Sequence, residues 1–171
     1  MKTMLHFGTL GIDLLKHFEG YRDTAYDDGT GVWTIGYGST LVNGHHIHPG
    51  MTCTVDEATE WMMSEVRKTE PMIRSVESAG GYDPDGRPFT QYEFDALVCF
   101  TYNIGTTGFL SSSLCRKIRS SPYGIRDIAE TNFTDWNKAR INGILTPLPG
   151  LTRRRKAEYH LFTTGTLQFQ F

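Results

Sequence analysis

The order of segment types along this chain predicts an α+β fold dominated by helix. Three observations carry the prediction. A short segment with apolar residues at helical spacing (Leu10, Leu14, Leu15, Phe18) opens the chain. From Tyr21 to Leu41 the pattern changes to aromatic and β-branched residues interleaved with turn formers. After Thr54 every periodic stretch is helical again, and no internal repeat or low-complexity tract interrupts it. The expected architecture has a small β-hairpin lobe at about residues 20–55 and a long connecting helix at about 56–80. A larger helical lobe, about 88–171 together with the N-terminal helix, completes it.

Each element has a local reason. Thr9 can cap the first helix, and Gly20 is a natural stop because it can take the left-handed conformation that closes a helix. Glu19 therefore falls at the helix end beside Leu15 and Phe18. Both the negative end of the helix and apolar neighbours disfavour a charged carboxylate there, which suits a proton donor. Tyr26, Val32, Trp33, Thr34, Ile35 and Tyr37, set among Asp27, Asp28, Gly29, Gly31, Gly36 and Gly38, predict a tightly twisted hairpin. His45, His46 and His48 precede Pro49-Gly50 in a polar stretch without further ligands at helpful spacing. They read as a loop and not as a metal site.

Thr54-Val-Asp-Glu57 is a capping box, so a helix should run to about Ser78 on the stripe Ala58, Met62, Val66, Ile73 and Val76, with Pro71 as a possible kink. Residues 79–88 hold every breaker type and read as a loop, in which Asp83 and Asp85 are a weak calcium cue only. Thr90-Gln-Tyr-Glu93 is a second capping box, opening a helix bulky enough to be the buried centre of the larger lobe. Shorter helices are expected at Ser111–Ile118 and Ile125–Trp136, then a loop with Pro147, Pro149 and Gly150, then a last helix from about Thr152 to Phe162.

The totals set bounds. A chain of 171 residues suits one domain, or two small lobes sharing a core. With 39% hydrophobic and 21% charged residues it is an ordinary globular sequence, and a net charge of −2 gives no basic face for nucleic acid. Cys53, Cys99 and Cys115 lie far apart with no CxxC pair, so unpaired thiols are expected. The N-terminus lacks a continuous apolar core, so neither a signal peptide nor a membrane-spanning segment is expected.

Glycoside hydrolysis needs an acid for the leaving oxygen and a second group for water. Eight residues separate Glu19 from Asp28 and five separate Asp28 from Thr34, on a helix end and a hairpin that can face each other. The turn-rich setting of Asp28 favours the ionised form, and Thr34 could hold water through its hydroxyl. Two acids at this spacing are common, so spacing alone favours the plainer reading of a turn Asp and a helix-end Glu.

The surrounding residues go further. Phe18-Glu-Gly, Ala25-Tyr-Asp-Asp and Val32-Trp-Thr-Ile-Gly-Tyr-Gly-Ser39 resemble the N-terminal signature of phage-type lysozymes, glycoside hydrolase family 24. The resemblance continues through His48-Pro-Gly-Met51, Phe94-Asp-Ala-Leu-Val98, Asn103-Ile-Gly105, Trp136-Asn137 and Leu148-Pro-Gly-Leu-Thr-Arg-Arg-Arg155. It implies a lysozyme-like two-lobe fold and a cofactor-free muramidase that cuts the β-1,4 bond between N-acetylmuramic acid and N-acetylglucosamine in peptidoglycan, with inversion. By the same resemblance Glu19 is the general acid, Asp28 and Thr34 position water, and Arg154 (Arg153 or Arg155 on a slipped register) pairs with the catalytic Glu. Gly38, Tyr102, Asn103 and Ser112 would line the glycan site. Ser39 departs from the family, standing where many relatives have His.

The implied setting is a monomer made in the host cytoplasm, acting on the glycan strand after a holin releases it, with no stable membrane insertion. An antibacterial effector or bacteriocin domain with an immunity protein, a lytic transglycosylase, and a non-catalytic peptidoglycan-binding module are the competing readings.

Overall fold

The computed structural model of the chain describes residues 4–78, 87–121 and 124–171. Most of the expected 79–88 loop, including Asp83 and Asp85, lies outside them. The described residues form six α-helices and three separate two-stranded antiparallel hairpins. The mainly helical α+β class expected from the sequence is what the chain adopts. The chain divides into two compact units, residues 15–68 and residues 1–14 with 69–171.

The first unit begins in helix α1 (Thr9–Glu19). Gly20, at φ +69°, stops that helix, and its N–H still reaches the Lys16 carbonyl at 3.3 Å. Strand β1 (Arg22–Asp27) follows after one further residue and pairs with β2 (Trp33–Gly36). The register runs Arg22 to Gly36, then Tyr26 to Thr34, so β1 carries surplus residues that leave the ladder. They are used elsewhere: Ala25 donates to the Met51 carbonyl at 2.9 Å, and Cys53 donates to that of Asp23 at 2.8 Å. Gly36, at φ +64°, lies close against the next helix. A Cβ there would stand 2.7 Å from the Ala58 Cβ.

The stretch read from sequence as a polar histidine loop is a second, very short hairpin. Its strands are β3 (Leu41–Val42) and β4 (His45–His46), turning at Asn43-Gly44, both at positive φ. Asn-Gly is the dipeptide that such two-residue turns favour. His45, His46 and His48 are exposed. Helix α2 (Val55–Ser78) has the expected bounds and the expected capping box. The Thr54 N–H donates to Glu57 Oε2 at 2.8 Å, and the Glu57 N–H donates to Thr54 Oγ1 at 3.2 Å.

In the second unit, α3 (Gln91–Ser111) is the buried centre, as expected. Thr90 and Glu93 form its capping box, and Gly105 (φ 79°, ψ 159°) breaks the helix near its end. Phe94, Leu97, Val98 and Phe100 on α3 are buried, as are Ala157, Leu161 and Phe162 on α6 (Pro149–Thr164), the helix packed against it. The Phe100 ring lies 5.2 Å from that of Phe133 and 6.4 Å from that of Trp136. Removing a buried ring of this kind costs about 3–5 kcal/mol. The N-terminal residues are tied in through carboxylates: the Phe7 N–H donates to Glu70 Oε1 and the Gly8 N–H to Asp95 Oδ1, each at 2.9 Å.

Three expectations in this unit need correction. The helix expected at Ser111–Ile118 is α4 (Ser113–Ser120), displaced because Ser112 caps it and cannot be inside it. The single helix expected at Ile125–Trp136 is a 3-10 turn (Gly124–Asp127) followed by α5 (Glu130–Thr134). The loop expected before the last helix is a hairpin, β5 (Lys138–Ile141) and β6 (Ile144–Pro147), turning at Asn142-Gly143 with both residues at positive φ. Its prolines sit at the end of β6 and at the start of α6, where no ladder donor is needed. All three cysteines are buried and free.

Candidate active site

Glu19 is the last residue of α1 and is half-buried. The turn from helix to strand places it in the same compact unit as the hairpin that carries Asp28 and Thr34. Gly38 belongs to this unit too, at φ +92° with open space where a Cβ would stand.

The hairpin loop is built by two consecutive aspartates. Asp27 Oδ1 accepts from the N–H groups of Gly29 at 2.8 Å and Gly31 at 3.0 Å. Asp28 Oδ1 accepts from the Thr30 hydroxyl at 2.7 Å, the Thr30 N–H at 2.8 Å and the Val32 N–H at 3.3 Å. The Asp28 N–H returns to the Val32 carbonyl at 3.1 Å. Asp and Thr side chains that bond backbone a few residues on are a standard way of closing such loops. For Asp28 the consequence is electrostatic as well as geometric. The Thr30 hydroxyl, the Thr30 N–H and then the Val32 N–H outweigh desolvation and hold its carboxyl below the usual carboxylate range. Oδ1 accepts all three of these bonds, and since the residue is exposed, Oδ2 is the oxygen left to face water.

Thr34 lies opposite Tyr26 on β2 and is buried, with 5% exposure. Its hydroxyl donates to the Val32 carbonyl at 3.3 Å, a long bond that leaves the oxygen lone pairs available. One hairpin thus carries both groups that sequence reasoning assigned to water, Asp28 in its loop and Thr34 on its returning strand.

The other candidates belong to the second unit. Arg154 is buried on α6, and its Nε donates to Glu158 Oε1 at 3.1 Å. Arg155 is fully buried. Its Nη2 donates to the same Glu158 oxygen at 2.8 Å and to Asn103 Oδ1 at 2.9 Å, and its guanidinium lies 5.0 Å from the Phe100 ring centroid. Burial lowers the Arg155 pKa, Glu158 opposes this, and the neighbouring Arg154 cation adds to the lowering. Arg153 is exposed. Asn103, expected at a glycan wall, thus also anchors α3 to α6. Tyr102 is half-buried. Ser112 is 2% exposed and caps α4: its oxygen accepts from the Cys115 N–H at 3.0 Å while its hydroxyl donates to the Phe109 carbonyl at 2.6 Å.

Sequence reasoning missed two contributors. Thr30 was passed over, although Asp-x-Thr is a recognisable side-chain turn signal. Glu158 was passed over too, although it stands four residues after Arg154 and three after Arg155, the spacing of an ion pair on one helix face. The clue to Glu158 was its apolar neighbours in sequence, Ala157, Leu161 and Phe162.

The sequence profile of the phage lysozyme family matches residues 16–158. The endolysin of Acyrthosiphon pisum secondary endosymbiont phage 1 is 34% identical over 161 residues, covering 94% of this chain and all of the relative. Among solved structures, the endolysin from Escherichia coli O157:H7 phage FAHEc1 is similar with a TM-score of 0.82 at 28% identity, covering 98% of this chain and 99% of that one. The muramidase domain of SpmX from Asticaccaulis excentricus has a TM-score of 0.75 at 29% identity, with 94% and 99% covered. Fold and similarity together define a glycoside hydrolase of the lysozyme class. Within that class, the chain belongs to the phage lysozyme family.

Proposed function

We propose that this chain is an inverting muramidase, cleaving the β-1,4 bond between N-acetylmuramic acid and N-acetylglucosamine in peptidoglycan. Glu19 protonates the departing glycosidic oxygen, while Asp28 and Thr34 hold the water that attacks the anomeric carbon from the opposite face. The observation that carries this reading is the fixed Asp28 carboxylate: one oxygen is locked in the loop by Thr30 and Val32, and its charge is favoured. An inverting enzyme needs that second carboxylate charged and rigid, about 6.5–9.5 Å from the acid so that a water fits between them. The roles implied for Arg154, Gly38, Tyr102, Asn103 and Ser112 around the glycan belong to the same proposal, as does a single lysozyme-like domain spanning 1–171.

The test is product analysis on purified peptidoglycan. Wild type should release new reducing ends with inverted anomeric configuration. Glu19→Gln should lose about 10²–10⁴-fold in rate, the span typical of general acid catalysis, and Asp28→Asn should fall similarly. Anhydromuropeptides as the main product would replace hydrolysis with lytic transglycosylation, and a fully active Glu19→Gln would end the mechanism.

Among the described residues no helix is long and apolar enough to cross a membrane. The lysis role proposed here includes a separate permeabilising partner such as a holin. Bacteria expressing this chain alone should stay intact until such a partner is co-expressed, and prompt lysis by the chain alone would refute that dependence.

A further inference from the structure

Helix α4 carries a feature that hydrolysis does not use. Arg116, Arg119 and Ser120 stand at positions i, i+3 and i+4, hence on one face of the helix. With Leu110, Ser111, Ser112 and Cys115 they line an open surface depression of about 340 Å³, in which Arg116, Arg119 and Ser120 are exposed and Ser112 and Cys115 form the buried floor. No carboxylate lines it. Neither guanidinium has a hydrogen bond or an ion pair with any described residue, and the Ser120 hydroxyl is likewise unengaged. The neighbouring cation, Lys117, is engaged instead, donating to the Asp127 carbonyl at 2.8 Å with the Asp127 carboxylate at 3.6 Å. Cys115 adds no negative charge, since burial pushes its thiol up.

Two unneutralised guanidiniums three residues apart repel each other. A single oxyanion between them removes that repulsion and accepts from both planar forks. We infer that this depression is an accessory oxyanion site, which takes a carboxylate or phosphate group carried by an anionic wall polymer. The inference deepens the muramidase proposal, since such a site would tether the enzyme to its substrate and raise the local concentration of glycan. The ligand class itself rests only on the depression and its unpaired donors.

The first experiment does not depend on catalysis. Full-length protein, labelled at arginine side chains, is titrated by NMR with N-acetyl-D-glutamate and separately with glycerol phosphate. Saturable shifts confined to the Arg116 and Arg119 signals, weakened at least tenfold in Arg116→Gln/Arg119→Gln, are expected for at least one probe. Absence of saturation with both probes, or equal drift of all arginine signals, overturns the site. Arg116→Lys/Arg119→Lys keeps the charge but loses the fork and should bind more weakly than wild type. Equal binding by that variant would overturn the bidentate geometry.

The second experiment identifies the source. Glu19→Gln protein is sedimented with purified sacculi before and after removal of stem peptides, and before and after removal of phosphate polymers. Retention that drops at least threefold on peptide removal assigns the carboxylate, and a drop on phosphate removal assigns the phosphate. Retention unchanged by both treatments refutes the tether. Failure of the hydrolytic reading would show in product analysis alone and would leave the small-anion titration unaffected.

Discussion

The carboxylate of Glu158 is the sharpest place to test how this fold is held. It has no solvent exposure, and one of its oxygens accepts from Arg154 at 3.1 Å and from Arg155 at 2.8 Å. Glu158→Gln keeps the size and shape but removes the charge, leaving two buried guanidiniums beside a neutral amide. Arg155 then retains the Asn103 amide oxygen at 2.9 Å and the Phe100 ring, neither of which carries a countercharge. Breaking a buried ion pair by removing one partner costs about 3–5 kcal/mol. A chain of this size shifts in Tm by roughly 2–4 °C per kcal/mol, so the expected fall is about 6–20 °C. That is a large share of a total stability of about 5–15 kcal/mol. Differential scanning calorimetry measures it directly. Asn103→Ala, which removes one bond at an exposed residue, should cost only about 0.5–1.5 kcal/mol. A Glu158→Gln loss no larger than that of Asn103→Ala would refute the argument that α6 depends on a buried charge.

The remaining predictions concern the first unit. Thr30→Val removes the shortest of the three bonds that hold the Asp28 charge. The folded carboxyl of Asp28 lies below its unfolded value, so the charged form it stabilises is present above the unfolded pKa and is lost as pH falls through the folded one. The variant should move the acid limb of the pH–activity profile to higher pH, and an unmoved limb would show that this limb does not report Asp28. Gly36→Ala must accommodate a left-handed φ and a Cβ 2.7 Å from that of Ala58, and urea unfolding should show a loss of about 1–3 kcal/mol beyond that of Gly38→Ala. Position 38 shares the positive φ but has open space, so equal losses at both sites would refute the close approach of hairpin and helix.

How much of this was legible in the sequence depended on whether the signal was local. Gly20, the two capping boxes and the length of α2 are local chemistry, and the structure places them where the sequence did. The β5–β6 hairpin was equally local, since Asn142-Gly143 announces it, but Pro147 and Pro149 outweighed that signal and the segment read as a loop. Ser112 shows the cost of not asking which residue caps a helix: α4 begins after it, and the expected start was early. The arginine register was legible only through the family resemblance, which puts Arg154 first. Arg153, Arg154 and Arg155 are chemically alike in one dimension, and only the packing of α6 on α3 buries the second and third and leaves the first exposed. Thr30 fell between these cases, a local signal overshadowed by the two carboxylates it follows.

The buried cysteines have a consequence of their own. Attack on peroxide or on another disulfide requires an accessible thiolate. Burial is the leading cause that raises the thiols of Cys53, Cys99 and Cys115, and none is more than 8% exposed. The fold therefore owes nothing to a disulfide and offers an oxidant no accessible thiol. It should retain one conformation on either side of a membrane that separates reducing from oxidising surroundings.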